Sequence, residues 1–193
     1  DSAAITETGH AYTITLSDTS VDAGDLATLD GKTTVDVNLT NVTTLTGTFA
    51  ELVAFGTDQA NFSNKSSIAT ATMSAGPIAD AAEVKTLHDT IRSTSNGFSG
   101  NAVVNLTNAT TISGSYSELS ALVTYAGAST ITNFSGRNLT DDTGSSISVA
   151  NANTLSGSTT GTVTATLRTI SLSDSAALNE TGHAYTITLN DTT

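Results

Sequence analysis

The first twenty residues of this chain recur at its end. Asp1–Ser20 and Asp174–Thr193 share sixteen of twenty residues at a constant offset of 173 positions. A sequence that repeats itself at a fixed period usually folds as an array of similar units. We therefore expect residues 1–173 to form one long repeat unit and residues 174–193 to begin the next. The same pattern leads us to expect that the chain is a window on a longer, repetitive protein.

A second repeat lies inside the first. Residues 35–55 and 102–122 align at an offset of 67, with eleven identical residues among 21. In each copy an alternating polar and apolar segment is followed by a single glycine, Gly47 or Gly114. Alternation with period two is typical of a strand. The internal repeat therefore predicts a strand that is followed by a turn.

Those next residues predict short helices. Ser/Thr-x-x-Glu sequences begin at Thr48 and Ser115, and in this motif the hydroxyl and the carboxylate satisfy backbone N–H groups at a helix start. Asp80 is a related cap, and apolar residues at spacings of three and four follow it. We expect helices at Asp22–Leu29, Phe49–Phe55, Asp80–Ile91, Tyr116–Tyr125, Val149–Leu155 and Ser175–Leu178.

The composition favours strands elsewhere. The chain contains 39 threonines and 24 serines, and only 5% of its residues are aromatic. Threonine and valine suit pleated, half-buried surfaces. We expect strands at Ala11–Ser17, Thr33–Leu39, Ile68–Met73, Ala102–Leu106, Ile147–Ala150 and Thr160–Leu167.

The spacing of the helix starts then predicts a fold class. We expect a mainly β protein, a β-solenoid-like stack of six coils of about 29 residues each with short helices at its edges. A single coil cannot bury its own apolar face, so the stacking of coils would form the core. Separate small β-sandwich domains are the alternative architecture.

Charge and cysteine content exclude several partners. The net charge is −12, and the six lysines and arginines are scattered singly, whereas a nucleic-acid binder needs clustered cations. The chain has no cysteine, so disulfides and thiolate metal sites are excluded. No apolar run approaches the length of a membrane span. The expected partners are neighbouring copies of its own repeat, with glycans or other matrix components as further candidates, and not nucleic acid or the membrane interior.

Two segments carry a resemblance to a known group of proteins. Asp25–Thr34 reads DLATLDGKTT, and Val42–Leu52 reads VTTLTGTFAEL. Together they resemble tandem-repeat regions of giant bacterial, cyanobacterial-type, extracellular and cell-surface proteins. The resemblance implies a β-solenoid-like stalk or fibre outside the cell, and it transfers no catalytic residue.

Carboxylates give two candidate clusters for a metal ion. Asp141 and Asp142 are adjacent, and Asp18, Asp22 and Asp25 lie close together in the sequence. Ca²⁺ prefers several oxygen ligands, so Asp141, Asp142, Asp18 and Asp22 are candidate Ca²⁺ ligands. The other interpretation is that they are solvated turn and cap residues. Ca²⁺ is the one cofactor that the sequence suggests.

Asparagine occurs in an unusual pattern. Ten of the fourteen asparagines stand in the sequence Asn-x-Ser/Thr, which is the acceptor for N-glycosylation. The alternative interpretation is that asparagine and threonine form turns and side-chain ladders. The ten candidate glycosylation residues are Asn38, Asn41, Asn61, Asn64, Asn105, Asn108, Asn133, Asn138, Asn179 and Asn190.

No catalytic motif is evident. The sequence lacks a glycine-rich phosphate loop, a serine nucleophile elbow and a zinc motif, so we expect that the protein is not an enzyme. His10 and His183 are the same residue in successive repeats and are interpreted as turn residues, whereas His88 is interpreted as a surface residue. The function predicted is a structural repeat segment of an extracellular or cell-surface filament, stalk or matrix protein that stacks end to end. An adhesin or glycan-binding module is the alternative, followed by an ice-binding or polysaccharide-active β-solenoid.

Overall fold

The chain is a mixed α/β protein. A computed structural model describes residues 5–58, 60–74 and 76–190. They contain six α-helices and parallel sheets, with 32% helix and 24% strand. The prediction of a mainly β, solenoid-like stack of coils is therefore wrong, and no solenoid is shown. The physical reason is that the strands are only two to four residues long, whereas five of the six helices have eight to twelve residues, so helix exceeds strand.

The helices begin close to where the sequence predicts them. The capping motifs are local, and they act within one turn of the residues that they cap. Five of the six start within one residue of the predicted position, and α2, α4 and α5 start on it. The helices are α1 (Ala23–Asp30), α2 (Phe49–Thr57), α3 (Ala81–Ile91), α4 (Tyr116–Gly127), α5 (Val149–Ser156) and α6 (Leu172–Ser175).

The strands are shorter than predicted. Residues Ala11–Ser17 contain an isolated bridge at Thr15 in place of a continuous strand. Ile147–Ala150 is wrong as a strand, because the hydroxyl of Ser148 accepts a hydrogen bond from the Asn151 amide and begins α5 at Val149. The strands are β1 (Ser20–Asp22), β2 (Val37–Asn38), β3 (Thr44–Gly47), β4 (Phe62–Ser63), β5 (Thr70–Met73), β6 (Ile78–Asp80), β7 (Val103–Asn105), β8 (Thr111–Gly114), β9 (Ile131–Thr132), β10 (Asn138–Asp141), β11 (Val163–Thr166) and β12 (Ala184–Thr186).

The chain divides into two compact units. Unit 1 comprises Asp1–Ala75 with Thr86–Thr107, and unit 2 comprises Gly76–Lys85 with Asn108–Thr193. The division falls within α3. In each unit, neighbouring strands of the sheet run parallel to each other.

In unit 1, strands β1, β3, β5 and β7 lie side by side in that order and are all parallel. Their register places Val21, Leu45, Ala71 and Val104 in one row across the sheet. The last three are fully buried, and Val21, at the end of the row, is half-buried. Strands β2 and β4 form a separate parallel pair.

Unit 2 repeats this arrangement. Its strands β6, β8, β10, β11 and β12 are parallel neighbours in that order. Ala79, Ile112, Leu139 and Val163 form a row across four of them, and each side chain is 0–1% exposed. Leu45 and Ile112 are equivalent residues of the internal repeat, so the repeated sequence places the same position in the core of each unit.

Both capping boxes of the internal repeat are present. The Thr48 hydroxyl accepts a hydrogen bond from the Glu51 amide at 3.4 Å, and the Glu51 carboxylate accepts one from the Thr48 amide at 2.8 Å. Ser115 and Glu118 make the same two bonds, at 3.3 Å and 2.8 Å. Reciprocal capping satisfies amides that an isolated helix end leaves without acceptors. The prediction of two equivalent helix starts is confirmed.

Helix length bears on the membrane prediction. The longest helix among the described residues, α4, has 12 residues, whereas a transmembrane helix needs about 20 apolar residues. Within the described ranges, no helix is long and apolar enough to cross a membrane.

Candidate functional site

The carboxylate of Asp22 caps a helix. One of its oxygens accepts a hydrogen bond from the Gly24 amide at 2.9 Å, and the other accepts one from the Thr46 hydroxyl at 3.3 Å. Asp22 therefore joins the start of α1 to the neighbouring strand. Asp18 and Asp25 are exposed. These contacts agree with the interpretation of Asp22 as a cap residue.

Asp141 and Asp142 lie at the end of β10. The Asp141 carboxylate accepts hydrogen bonds from the amide and hydroxyl of Thr143, at 3.2 Å and 2.8 Å. The Asp142 carboxylate accepts one from the Ser113 hydroxyl at 2.6 Å. Among the described residues, no group of three or more histidine, aspartate or glutamate side chains is placed to hold a metal ion. Ca²⁺ binding at these four aspartates stays a prediction.

The sequons divide by exposure. Asn38, Asn61 and Asn105 are half-buried. Asn38 and Asn64 form a side-chain ladder, in which the Asn64 amide donates to the Asn38 side-chain oxygen at 2.9 Å. Glycosylation remains a prediction. The exposed sequon asparagines are Asn41, Asn64, Asn108, Asn133, Asn138, Asn179 and Asn190.

The histidines occupy three different environments. The Nε2 atom of His10 lies 3.1 Å from the Glu7 carboxylate. The Nδ1 atom of His183 accepts a hydrogen bond from the Val163 amide at 3.1 Å. His88 is only 7% exposed, so its interpretation as a surface residue is wrong. It lies on the buried side of α3, and its Nδ1 atom is 3.0 Å from the Asp89 carboxylate.

A buried lysine that the sequence analysis did not select closes the end of α2. Lys65 is 3% exposed, and it lies in a short 3-10 turn at Lys65–Ser67. Its ammonium donates hydrogen bonds to the carbonyl oxygens of Phe55 at 3.0 Å, Gly56 at 3.2 Å, and Asp58. These carbonyls belong to the last turn of α2 and the residue after it, where the helix has acceptors without intrahelical donors and a partial negative charge.

Two aromatic rings enclose the same ammonium. The Lys65 nitrogen lies 5.0 Å from the centre of the Phe55 ring and 5.1 Å from that of Phe98. A cation within about 6 Å of a ring face is attracted to it. Burial lowers the pKa of the Lys65 ammonium from its usual value, and the nearby Asp58 carboxylate opposes this shift. All three N–H donors of Lys65 are engaged, so the arrangement is that of a structural cap.

Acidic groups crowd the C-terminal end of α1. Asp30 is the last residue of that helix. Burial raises the pKa of its carboxyl group, and repulsion from Asp58 and Asp36 adds to the increase. The side-chain amide of Asn61 bridges the pair, donating to Asp30 at 3.0 Å and to Asp58 at 3.3 Å. A carboxylate at a helix C-terminus is also disfavoured by the helix dipole.

This crowding makes a testable prediction. Asp30→Asn should stabilise the protein at pH 7 by about 0.5 kcal/mol, because it removes an unfavourable charge that solvent partly screens. The folded-state pKa is raised, so the penalty is relieved when pH falls through that pKa and Asp30 becomes protonated. Urea unfolding should therefore show a gain at pH 7 that shrinks as the solution is acidified. Asp25→Asn, at the other end of α1, is the control and should have the opposite sign.

The first copy of the terminal repeat pairs with the residues that follow it. The Asn38 amide donates to the Ile14 carbonyl at 2.9 Å, and the Leu16 amide donates to the Asn38 carbonyl at 3.1 Å. The Thr34 amide donates to the His10 carbonyl at 3.0 Å. The bridges His10↔Thr33 and Thr15↔Asn38 are parallel.

The second copy pairs with the residues that precede it. Strand β12 is parallel to β11, and the Leu167 amide donates to the Thr186 carbonyl at 2.9 Å. Ile170 then donates to the Thr188 carbonyl at 3.0 Å and accepts from the Asn190 amide at 3.1 Å. The stacking of the histidine on the tyrosine is the same as in the first copy. The histidine and tyrosine rings are 5.5 Å apart in one copy and 5.6 Å apart in the other, with an interplanar angle of 44° in both.

Aromatic exposure bears on the adhesin alternative, which calls for an exposed aromatic platform. Within the described residues, Tyr12 is the one tyrosine or phenylalanine side chain that is exposed, at 37%. Phe55, Phe62, Phe98 and Phe134 are 3–6% exposed and belong to the cores of their units. The adhesin function stays a prediction, and the positions of the aromatic side chains add no support for it.

Comparison with known proteins adds no assignment. No protein-family model, curated protein or solved structure matches this chain. The resemblance to cyanobacterial-type repeat regions therefore stays a prediction. We infer function from the contacts described above.

Proposed function

We propose that this chain is a structural repeat segment of an extracellular or cell-surface filament, stalk or matrix protein, and that its partners are further copies of its own repeat. The observation that supports the proposal is the row of buried side chains across each sheet. Leu45 lies in register between Val21 and Ala71, and Ile112 lies between Ala79 and Leu139. The strands β3 and β8 therefore each have a paired strand on both sides.

The row of unit 1 is only partly covered at its first strand. Leu45, with a strand on each side, is 0% exposed, whereas Val21, at the end of its row, is half-buried. Burial of apolar area stabilises by about 25 cal/mol per Å², so adding a neighbour stabilises the terminal strands most. Proteins built in this way gain stability with each added repeat, because the interfaces between repeats add to the stability of each repeat.

The net charge is compatible with a long polymer. A net charge of −12 makes separate molecules repel one another and favours solubility. An extracellular location follows from the resemblance of the repeats and agrees with the absence of cysteine, which makes the protein indifferent to the redox state of its surroundings.

The proposal is tested by increasing the number of repeats. Proteins with one, two and three repeats are made by adding residues 21–193 once or twice directly after residue 193. We expect the midpoint of thermal unfolding to rise by several degrees from one repeat to two, and to rise less from two to three. Electron cryomicroscopy should show particles that lengthen by a constant increment with each repeat.

The control separates the repeats with a flexible linker. Two copies joined by about 20 residues of glycine and serine behave as independent domains, so their unfolding midpoint should equal that of one repeat. If the directly joined and linker-joined proteins unfold at the same temperature and look like separate particles, the structural proposal is wrong.

A further inference from the structure

Two identical extended segments of this chain pair through opposite edges. Residues 10–16 and 183–189 both read HAYTITL. In the first copy, the backbone groups that bond to the following residues belong to His10, Ile14 and Leu16. In the second copy, those that bond to the preceding residues belong to Thr186, Thr188 and Asn190.

The two sets alternate along the segment. The residues of the second copy that correspond to His10, Ile14 and Leu16 are His183, Ile187 and Leu189. The second copy instead makes its backbone hydrogen bonds through Thr186, Thr188 and Asn190. In an extended strand, the backbone N–H and C=O groups of successive residues point to opposite edges. The segment therefore has two bonding edges. Among the described residues, the second copy makes no backbone hydrogen bond through the edge of Ile187 and Leu189.

Side-chain exposure shows the same division. Ile14 and Leu16 are half-buried in the first copy, whereas Ile187 and Leu189 are 40% and 48% exposed in the second. The tyrosine shows the reverse pattern, because Tyr12 is 37% exposed and Tyr185 is half-buried. The tyrosine, isoleucine and leucine are alternate residues and lie on one face of the segment, so the two copies have different parts of the same face covered.

We propose that residues 183–190 form a junction strand that is shared by successive repeats. Its Thr186, Thr188 and Asn190 edge completes the sheet of one repeat. Its Ile187 and Leu189 edge pairs in parallel with residues 33–38 of the next copy of the chain, in the register that residues 10–16 show within this one. This inference rests on the proposed structural function and specifies the contact that it requires.

Hydrogen exchange of four backbone amides tests the edges in the chain as it exists. The Leu16 amide donates to Asn38, and the Asn190 amide donates to Ile170. We expect both to exchange at least about tenfold more slowly than their equivalents in the other copy, which are Leu189 and Ser17. If Leu189 is protected as well as Leu16 in dilute single chains, the assignment of a free edge is wrong.

The two-repeat protein, in which residues 21–193 follow residue 193, tests the junction. There the Leu189 amide should become about tenfold more protected than in the single chain, while protection of Leu16 stays the same. Unchanged exchange of Leu189 would overturn the junction. If the two-repeat protein is also more stable than one repeat, the structural function stands and another contact carries it.

Disulfide cross-linking is an independent test of the strand register. The chain has no native cysteine that would interfere. Thr15 and Asn38 are direct partners, and neighbouring parallel strands place such residues about 4.8 Å apart, within disulfide range. In the two-repeat protein, Thr188→Cys should therefore cross-link to Asn38→Cys of the second repeat as completely as Thr15→Cys does to Asn38→Cys of the first. Asp36→Cys of the second repeat, two residues out of register, is the matched control. If Thr188→Cys cross-links equally to both positions, the proposed pairing is wrong.

Discussion

Lys65→Met is expected to destabilise the protein by about 2–4 kcal/mol in urea unfolding. The substitution keeps the apolar stem of the side chain but removes the ammonium that bonds to the carbonyls of Phe55, Gly56 and Asp58. Buried carbonyls that lose their donors carry a desolvation penalty, and the attraction to two aromatic rings is lost as well. The release of a buried charge offsets part of this loss.

The pH dependence shows whether the titrating amino group of Lys65 is involved. The pKa of Lys65 is lowered in the folded protein, so the unfolded chain binds more protons between that pKa and 10.5. Stability that depends on Lys65 therefore rises as pH increases through this interval. The difference in unfolding free energy between the unsubstituted protein and Lys65→Met should widen as pH rises through this interval.

Lys32→Met is the control for this substitution. The ammonium of Lys32 makes none of the contacts that enclose Lys65, so its loss should change stability by less than about 0.5 kcal/mol at every pH. An equal effect of the two substitutions would show that the loss of a positive charge from an acidic protein, and not the helix cap, accounts for the change.

Gly161→Ala is expected to cost about 3 kcal/mol, because the added methyl group has no room. A Cβ atom at this position would lie 2.6 Å from the carbonyl carbon of Arg137 and 2.8 Å from the amide nitrogen of Asn138, and it would also contact the Arg137 carbonyl oxygen. These are backbone atoms, so they cannot move aside as a flexible side chain would. The strands β10 and β11 have to separate locally to accept the methyl group.

The hydrogen bonds around Gly161 indicate what would be lost. The Thr160 amide donates to the Ser135 carbonyl at 2.6 Å, and the Thr162 amide donates to the Asn138 side chain at 2.8 Å. Thermal and urea unfolding of Gly161→Ala and of the control Gly136→Ala measure the effect. A methyl group added at Gly136 would have no neighbouring atom within 4 Å, so this control should be neutral or stabilise slightly. A neutral Gly161→Ala would mean that β10 and β11 approach less closely than the structure shows.

The local signals in the sequence predict the helices well. Thr48 with Glu51, and Ser115 with Glu118, form capping boxes within three residues of sequence, and both boxes are present. Strand positions are predicted less well, because a strand is defined by a partner elsewhere in the chain. The β-branched residues Ile147 and Val149 favour a strand at Ile147–Ala150, where a cap at Ser148 begins a helix.

The predicted fold class is wrong for a related reason. Composition and repeat spacing indicate that segments repeat, but they do not state how much of each segment becomes helix. The sequence also gives little indication of the structural role of Lys65, because its partners come from residues 55–58 and from Phe98, and no local pattern connects them. One signal is present: a lysine in an acidic chain, close in sequence to Phe55 and Phe62. The exposed edge of residues 183–189 is not evident either, since the two copies have the same sequence and differ only in their neighbours.

The pairing of strands within each unit also has a kinetic consequence. Among the registered strand pairs, partners are at most 33 residues apart, as in Thr70↔Val103 and Ile78↔Thr111. Proteins whose contacts are local in sequence fold faster than those that must bring distant segments together. An array of these repeats could begin to fold while its later repeats are still being synthesised or exported. The time needed to fold each repeat would then be independent of the length of the whole array.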